Sequence, residues 1–431
     1  MRRTKIIATI GPASEKVDVL SDMMKAGLDV CRLNFSHGDH IWHQNAIKKI
    51  RKASKISGKR VGIMADVQGP RIRVANTRNI KVKKDDLVLV ADEHCQKTYG
   101  KKKEITLDWI GFHNFIKKGD RIFVEDGFIE LVVVKLRKDA CIAKVIFGGV
   151  IKEHKGVNIP RISAHMGFLT EKDHRDLEFV IPLGIDFLAV SFVANRRQLI
   201  SLRKMIALNL EKTKKLYRSK NLHKKDKKNS KLAYPWVISK IEKKEAIRNI
   251  DGIIEESDAI MVARGDLAIE MPQEDVVITQ KMIIEKCIKA KKPVIVATQV
   301  MASMEEKARP TRAEISDVTN AVVDGADAVM FSAETTVGAF PVRVIETASK
   351  ITKKAEESIF NDQPLKRVGS FARMILKIRR TPKKNRKRKI MVENLQEALG
   401  LSSLRQEDFV IKIKTNNKNY KKKSSLIWGV E

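Results

Sequence analysis

The sequence has few residues that could crosslink the chain or bind a metal through sulfur. Only four of its 431 residues are cysteine, and Cys31, Cys95, Cys141 and Cys287 are scattered without a CxxC spacing. Disulfide-stapled folds and structural zinc sites need closely spaced cysteines, so the pattern argues against both. Scattered free thiols are typical of a reducing compartment, and we expect the protein to lie in the cytoplasm.

Long hydrophobic runs are also missing. No stretch approaches the roughly 20 apolar residues that a membrane-spanning helix requires. The opening sequence MRRTKIIATIG begins with charge but passes directly into a strand pattern, without the apolar core or cleavage-like site of a signal peptide. We therefore expect no membrane association. The length allows two or three domains and a large core.

Negative charge and aromatic side chains are both scarce. The formal net charge is +33 and aromatic residues make up 5% of the chain. By count, about +8 of the charge lies in Glu211–Lys231 and about +13 in Asn361–Glu431. Because the excess is local and lacks the interleaved aromatics on which bases stack, solvated charge explains it better than a nucleic-acid surface. Weak association with polyanions stays open.

Strand-like and helix-like segments alternate through most of the chain. The alternation runs up to Val67 and returns from Glu171 to Glu356, which is typical of parallel strands with helices outside. Eight such units close into a TIM (β/α)8 barrel, the α/β fold that we predict. The predicted barrel strands are Lys5–Ile10, Asp29–Asn34, Arg60–Val67, Phe187–Phe192, Trp236–Ile241, Ala259–Ala263, Pro293–Thr298 and Ala328–Phe331. The helices predicted between them include Arg197–Leu210 and Lys244–Glu256.

Between Gly69 and about His165 the pattern changes to short alternating runs separated by turn residues, which indicates a small antiparallel β-barrel inserted after the third strand. Its predicted strands are Arg71–Ala75, Leu87–Asp92, Arg121–Val124, Phe128–Lys135 and Cys141–Gly148. We accordingly assign residues 1–68 and 166–358 to a discontinuous barrel domain and residues 69–165 to the inserted domain. Residues 359–431 form a degenerate, basic C-terminal region that we expect to be at most partly ordered.

The segment Trp236–Glu242 is an apolar strand that ends in two opposite charges. Side chains alternate along a strand, so Lys240 and Glu242 share one face. Buried charges are costly unless they are paired, metal-bound or catalytic. The pair is either a structural ion pair or part of a site, and this segment alone leaves both readings open.

The ends of the other predicted strands favour a site. In TIM barrels, functional groups collect at the C-terminal strand ends. Arg32, Asn34, Ser36, Asp66, Asp266, Thr298, Ser332 and Glu334 lie at or just after such ends. Glu242 and Asp266 belong to neighbouring strands, and two carboxylates with open coordination positions suit Mg²⁺ or Mn²⁺. A divalent ion beside Lys240 and Arg32 is the apparatus of phosphoryl transfer.

Several long motifs carry a family resemblance over roughly residues 2–358. They are KIIATIGPAS, CRLNFSHG, ADVQGPRIR, HKGVNIP, VISKIEKKEAIRNIDGI, IMVARGDLAIE, VIVATQVMASM and PTRAEISDVTNAVVDGADAVMFSAET. The chain resembles the pyruvate kinases. The resemblance implies transfer of the phosphoryl group of phosphoenolpyruvate to ADP in glycolysis, with a lid formed by the inserted domain.

The resemblance also implies residue roles. Lys240 would neutralise the transferring phosphoryl group, Arg32 would contact it, and Thr298 would lie near the protonation of enolpyruvate. Substrate binding is implied for Arg32, Ala263, Arg264, Gly265, Asp266 and Thr298, with the backbone of residues 263–265 facing the carboxylate. Glu242 and Asp266 would hold the divalent metal. Nucleotide binding is implied for Asn34, Phe35, Ser36, His37, Arg73 and Lys155.

The motif DVQGPRIRV departs from the family's usual DTKGPEIRT. Val67 replaces a threonine that helps to ligate a monovalent cation, and Arg71 replaces a glutamate. Arg71 supplies a fixed positive charge, as in the K⁺-independent branch of the family, so we expect K⁺ to be dispensable. Asn34, Ser36 and Asp66 are kept and could form a residual monovalent-cation site.

The C-terminal region does not resemble the family's usual α/β domain, so the expected oligomer would form through barrel surfaces. A second hypothesis is a catalytically decayed barrel whose basic segments bind RNA or other polyanions. The intact Lys240, Glu242, Asp266 and Thr298 argue against decay.

Overall fold

The computed structural model describes residues 2–76, 78–93, 103–125, 127–160, 162, 167–219, 233–358, 388–392, 409–413 and 426. Its strands, numbered in chain order, are β1 (Lys5–Thr9), β2 (Val30–Asn34), β3 (Gly62–Val67), β4 (Ile72–Arg73), β5 (Ile80–Val82), β6 (Leu87–Asp92), β7 (Glu104–Leu107), β8 (Arg121–Val124), β9 (Ile129–Leu136), β10 (Ala140–Phe147), β11 (Gly149–Ile151), β12 (Gly156–Asn158), β13 (Phe187–Val190), β14 (Trp236–Ile241), β15 (Ala259–Ala263), β16 (Val294–Ala297), β17 (Ala328–Phe331), β18 (Arg388–Val392) and β19 (Phe409–Ile413).

The helices follow the strands on the outside of the fold. They are α1 (Val17–Ala26), α2 (His40–Ser57), α3 (Glu171–Val180), α4 (Arg196–Ser219), α5 (Lys244–Arg248), α6 (Ile250–Glu256), α7 (Arg264–Glu270), α8 (Gln273–Ala290), α9 (Arg312–Asp324), α10 (Ala333–Thr336) and α11 (Pro341–Glu356). Local sequence determines where two of the helices begin. Thr170 and Thr311 each form a reciprocal capping box at the start of α3 and α9, which satisfies backbone donors that a helix leaves open.

The predicted barrel is confirmed. All eight strands pair in parallel and close in the order β1-β17-β16-β15-β14-β13-β3-β2, with β2 returning to β1. Alternation along β14 is as expected, because Val237 and Ile241 pack outward against the helices whereas Ile238 packs inside the barrel. Ile238 belongs to an inner cluster of apolar side chains that also contains Ile7, Val30 and Met64. Leu426, far along the chain, is fully buried in this inner cluster.

The inserted segment forms a seven-stranded sheet in the order β4-β12-β8-β9-β10-β6-β7, beside a two-stranded sheet of β5 and β11. The two edges meet through an antiparallel bridge between Val74 and Leu107, so the larger sheet curls onto itself around its own core. The five strands predicted from alternation are present. The strands β5, β7, β11 and β12, of three or four residues each, were not predicted.

Two helix predictions need correction. The helix predicted over Lys244–Glu256 is broken into α5 and α6 at Asn249, whose side-chain amide donates a hydrogen bond to the carbonyl of Ala194. The helix predicted to end near Leu210 continues as α4 to Ser219, so the first part of the lysine-rich segment is helical. Residues 220–232 lie outside the described part of the chain.

In the basic C-terminal region, β18 and β19 pair in parallel, which the sequence pattern did not predict. Most of residues 359–431 lie outside the described residues, so the expected partial order and the proposed domain bounds stay predictions. Within the described segments, no helix combines the length and apolarity needed to cross a membrane.

Candidate active site

A cavity of about 290 Å³ lies at the C-terminal ends of the barrel strands, where TIM barrels gather functional groups. Its volume is near the lower limit for small-molecule pockets. The wall includes most of the predicted site residues, namely Arg32, Asn34, Ser36, Arg71, Lys240, Glu242, Ala263, Gly265, Asp266 and Thr298.

Lys240 is the centre of the charge network in this cavity. Its Nζ lies 2.9 Å from Oε1 of Glu242 and 3.4 Å from Oδ1 of Asp66, and it donates a hydrogen bond to Oγ of Ser191 at 2.8 Å. Burial by itself would lower the pKa of this ammonium, but the carboxylates of Asp66 and Glu242 outweigh it and raise the pKa above the ordinary lysine value. Lys240 therefore keeps its charge in a nearly dry site.

Asp66 also binds the second cation of the site. Its Oδ2 accepts a hydrogen bond from Nε of Arg32 at 2.7 Å, and Nη1 of Arg32 donates to Oγ1 of Thr9 at 2.8 Å. The side chains of Arg32 and Asp66 are almost fully buried. One carboxylate thus holds Arg32 and Lys240 on the same side of the cavity, where two positive charges favour an anionic group.

Glu242 is fixed by contacts on both of its oxygens. While Oε1 faces Lys240, Oε2 accepts a hydrogen bond from the backbone N–H of Phe192 at 2.6 Å. Phe192 has φ of 55°, a left-handed conformation that a non-glycine residue rarely adopts. Burial raises the pKa of the Glu242 carboxyl, Lys240 opposes this, and the nearby carboxylate of Asp266 raises it further.

Thr298 occupies a strained turn directly after β16. Thr298 and Gln299 have φ of 67° and 50°, and such conformations persist where surrounding contacts enforce them. The Thr298 Oγ1 accepts a hydrogen bond from the backbone N–H of Gly265 at 2.7 Å. The guanidinium of Arg264 binds the carbonyls of Thr298 and Gln299 at 2.9 and 3.1 Å. The side chain of Arg264 therefore supports this turn from behind the cavity wall.

His37 and Arg73 are not part of the cavity wall, but they lie close enough to Arg71 to interact with its charge. Partial burial and the charges of Arg73, Arg32 and Arg71 lower the pKa of His37, so this imidazole is neutral near pH 7. Burial and then Arg71 lower the pKa of Arg73. Burial is the larger cause of both pKa shifts, and the neighbouring arginines add to it.

Phe35 and Lys155 have other partners in this structure. The ring of Phe35 is buried and stacks on His43, with ring centroids 3.9 Å apart. A nucleotide could therefore contact only the backbone of Phe35. Nζ of Lys155 lies 2.6 Å from Oε1 of Glu125 within the inserted sheet. The nucleotide-binding roles of both residues stay predictions.

Two carboxylates of the cavity fit a divalent cation. Glu242 and Asp266 both line it, whereas the described residues contain no group of three or more histidine, cysteine or carboxylate side chains that could hold a metal. Mg²⁺ is commonly bound by one or two carboxylates plus substrate oxygens. The donor set therefore fits a cation that is shared with a substrate rather than one enclosed by protein.

The sequence patterns missed two hydroxyls that hold the cations in place. Ser191 directly follows β13, and Thr9 is the last residue of β1. Both stand at C-terminal strand ends, where TIM barrels gather functional groups, and this position is the one signal that the sequence gives for them. Gln68, Phe192, Met261, Gln299, Met330 and Ser332 also line the cavity. Of these, Ser332 stood out in the sequence as a residue after a strand end, and Gln68 as a departure from the family motif.

Comparison with known proteins gives a consistent match. Residues 1–345 match the family model described as pyruvate kinase, barrel domain. The chain is 40% identical over 366 residues to the pyruvate kinase of Geobacillus stearothermophilus, covering 83% of this chain and 58% of that protein. It is 39% identical over 376 residues to pyruvate kinase PKLR of Rattus norvegicus, covering 84% and 61%. For the pyruvate kinase of Clostridium perfringens the identity is 38% over 371 residues, covering 85% and 73%.

The match thus spans less than two thirds of the length of the first two of these relatives. The similarity concerns mainly the barrel and the inserted sheet, since the family model ends at residue 345.

Proposed function

The chain belongs to the pyruvate kinase family, and on that premise we propose that it transfers the phosphoryl group of phosphoenolpyruvate to ADP, giving pyruvate and ATP in the last step of glycolysis. The observation that carries this proposal is the position of Lys240. Its buried ammonium faces the cavity between Asp66 and Glu242, and its raised pKa keeps it charged. Such fixed charge suits phosphoryl transfer, which depends on positioning and neutralisation.

Arg32 and Lys240 would bind the phosphoryl oxygens from one side, because Asp66 holds both cations in place. The backbone of Ala263–Gly265 and the hydroxyl of Thr298 would hold the carboxylate of the substrate. Thr298 would also lie near the carbon that is protonated when enolpyruvate becomes pyruvate. Closure of the inserted domain would exclude water and so limit hydrolysis.

Members of the family generally use Mg²⁺ and K⁺. Glu242 and Asp266 would hold Mg²⁺ or Mn²⁺ here, and the ion would supply positive charge to the enolate and phosphoryl oxygens when bound. Asn34, Phe35, Ser36, His37, Arg73 and Lys155 would bind ADP. His37 and Arg73 interact with the charge of Arg71, and such neighbouring positive charges support a polyphosphate in that position.

We further propose that K⁺ is dispensable. Nη2 of Arg71 lies 3.4 Å from Oδ1 of Asp266, and both residues line the cavity. A guanidinium there supplies permanently the charge that a bound K⁺ would supply. Activity in a buffer of large organic cations should therefore change less than about twofold when KCl is added. A many-fold rise would show that Asn34, Ser36 and Asp66 still form a required K⁺ site.

The deciding experiment is a coupled assay of pyruvate formation from phosphoenolpyruvate and ADP with Mg²⁺. Wild type should form pyruvate, and Lys240→Met should lose about 100- to 1,000-fold in kcat, as expected when a group that stabilises the transition state is removed. Lys5→Met is the matched control, because Lys5 is as buried as Lys240 but begins β1 and is not in the cavity wall. No pyruvate from folded wild type would contradict the proposal and favour the decayed barrel. A homo-oligomer formed through barrel surfaces and a cytoplasmic location remain part of the proposal.

A further inference from the structure

Arg71 lies against a glycine of the inserted sheet. Arg71 directly precedes β4, and Gly156 begins β12, the strand that pairs with β4. A Cβ atom placed on Gly156 would lie 2.6 Å from Nε, 2.8 Å from Nη2 and 2.9 Å from Cζ of Arg71. These distances are shorter than any real carbon contact, so the guanidinium occupies the volume that a side chain at position 156 would fill.

The same guanidinium faces a carboxylate of the barrel. Its Nη2 lies 3.4 Å from Oδ1 of Asp266, and the two side chains are only 25% and 16% exposed. Arg71 is therefore held between a strand of the inserted sheet and a proposed metal ligand. Since the arginine side chain is long and flexible, this position depends on what borders it.

We propose that Gly156 is a positioning residue: its missing side chain lets the Arg71 guanidinium lie within the cavity beside Asp266. This inference rests on the proposed function, in which Arg71 supplies charge to the substrate site. Shifts of about 1 Å in a charged group can change activity about a hundredfold. A single methyl group at position 156 should therefore change substrate binding in the cavity.

Gly156→Ala is a selective probe of this contact. The backbone at Gly156 is not left-handed, so alanine can adopt it without strain. The clash would fall on the end of a flexible side chain rather than on backbone. The fold should therefore be kept while the guanidinium is displaced. Gly252→Ala is the matched control, because a Cβ there meets only an ordinary contact of 3.5 Å with Arg196.

The experiment is a double-mutant cycle of wild type, Gly156→Ala, Arg71→Ala and the double variant. Two quantities are measured: the KM for phosphoenolpyruvate, and the affinity for Mn²⁺ without substrate by electron paramagnetic resonance. Gly156→Ala should raise the KM about tenfold, the effect of losing one contact to a charged group. It should also tighten Mn²⁺ binding severalfold, because a positive charge moves away from Asp266.

In the Arg71→Ala background, Gly156→Ala should change neither quantity by more than about twofold, because the added methyl group then meets no guanidinium. Equal effects in both backgrounds would overturn the inference, as would a Gly156→Ala protein that matches wild type in KM and Mn²⁺ affinity. If Gly156→Ala does not fold, the double variant with Arg71→Ala becomes the test, because no long side chain then faces position 156. There the methyl group should be tolerated, and failure to fold in that background too would overturn the inference.

The Mn²⁺ titration also separates this inference from the proposed function. If wild type forms no pyruvate, the proposed function fails, yet the coupling between positions 71 and 156 is still read from Mn²⁺ affinity. If pyruvate forms and the cycle shows no coupling, only the role of Gly156 fails.

Discussion

Lys240 donates a hydrogen bond from Nζ to Oγ of Ser191 at 2.8 Å, and Ser191 donates in turn to the carbonyl of Val67 at 2.9 Å. An ammonium has three donors, and the carboxylates of Asp66 and Glu242 lie near the other two. Ser191 therefore completes the surroundings of Lys240 from the neighbouring strand β13. The position of the ammonium is set by a neutral group as well as by charges.

Ser191→Ala should lower kcat by roughly tenfold to a hundredfold with little change in KM, because Lys240 would stay charged but lose its fixed position. Steady-state kinetics with phosphoenolpyruvate measures both quantities. Ser191→Thr keeps the hydroxyl and should recover most of the activity. An unchanged kcat in folded Ser191→Ala would show that the carboxylates alone position the lysine.

Asp66→Asn should destabilise the fold strongly. The carboxylate is 1% exposed and lies against Arg32 and Lys240, so the amide would leave two buried cations with less compensation. Breaking a buried ion pair costs about 3–5 kcal/mol, which denaturant unfolding can measure. Asp22→Asn, in an ion pair with Lys25 whose side chains are more than half exposed, should change stability by less than about 1 kcal/mol. Similar losses in the two variants would contradict this account.

The charged residues of the candidate site could be predicted from the sequence, because they stand at the ends of apolar strands. Lys240, Glu242, Asp66 and Arg32 are charged residues in or beside apolar strands, and the barrel topology brings them to one end. Thr9 and Ser191 stand at equivalent positions, but a single hydroxyl at a strand end is common in ordinary turns. The hydrogen bonds from Arg32 and Lys240 to these hydroxyls can therefore be identified only once the register of the neighbouring strands is known.

Short sequence patterns predicted the structure least well where contacts between distant residues determine the backbone conformation. The break between α5 and α6 follows from the bond between Asn249 and Ala194, residues 55 positions apart. Thr298 is β-branched, a type that favours extended backbone, yet it is left-handed because Gly265 and Arg264 hold the turn. The curled sheet depends on the pairing of Val74 with Leu107. No short window of sequence contains these pairs.

His43 should make the protein sensitive to acid. Its ring is 1% exposed, and burial lowers its pKa from 6.5 to about 4. Nε2 bonds the carbonyl of His37, whereas Nδ1 finds no hydrogen-bond partner among the described residues. Because the unfolded chain binds the proton more readily, stability falls as the pH drops from about 6.5 towards 4. The loss due to this group should reach about 2 kcal/mol at pH 5.

Chemical unfolding of wild type and His43→Gln at pH 7.5 and 5 checks this prediction. The amide can still donate to the His37 carbonyl but does not titrate, so the variant should lose less stability on acidification. An equal loss in both proteins would assign the acid sensitivity to other groups.

Leu426→Ala should lower the free energy of unfolding by about 2–5 kcal/mol, the usual cost of removing a large buried aliphatic side chain. Leu426 is 0% exposed and belongs to the inner cluster with Ile7, Val30 and Met64. Ile41→Ala is the control, since Ile41 is 70% exposed and surface changes rarely exceed about 0.5 kcal/mol. A Leu426→Ala protein as stable as the control would show that this contact adds nothing to the barrel.

Thr298→Gly should separate stability from activity. Glycine adopts the left-handed conformation of residue 298 without steric cost, which removes strain of about 1–3 kcal/mol, although its freer unfolded chain offsets about 1 kcal/mol. The variant loses the Oγ1 atom that accepts from the N–H of Gly265. Because the lost hydrogen bond costs about 1 kcal/mol more, thermal unfolding should show stability within about 1 kcal/mol of wild type, while kcat falls at least about a hundredfold. Thr298→Ser keeps the hydroxyl and should keep most of the activity, so a fall in kcat as large as that of the glycine variant would place the role of Thr298 in its methyl group instead.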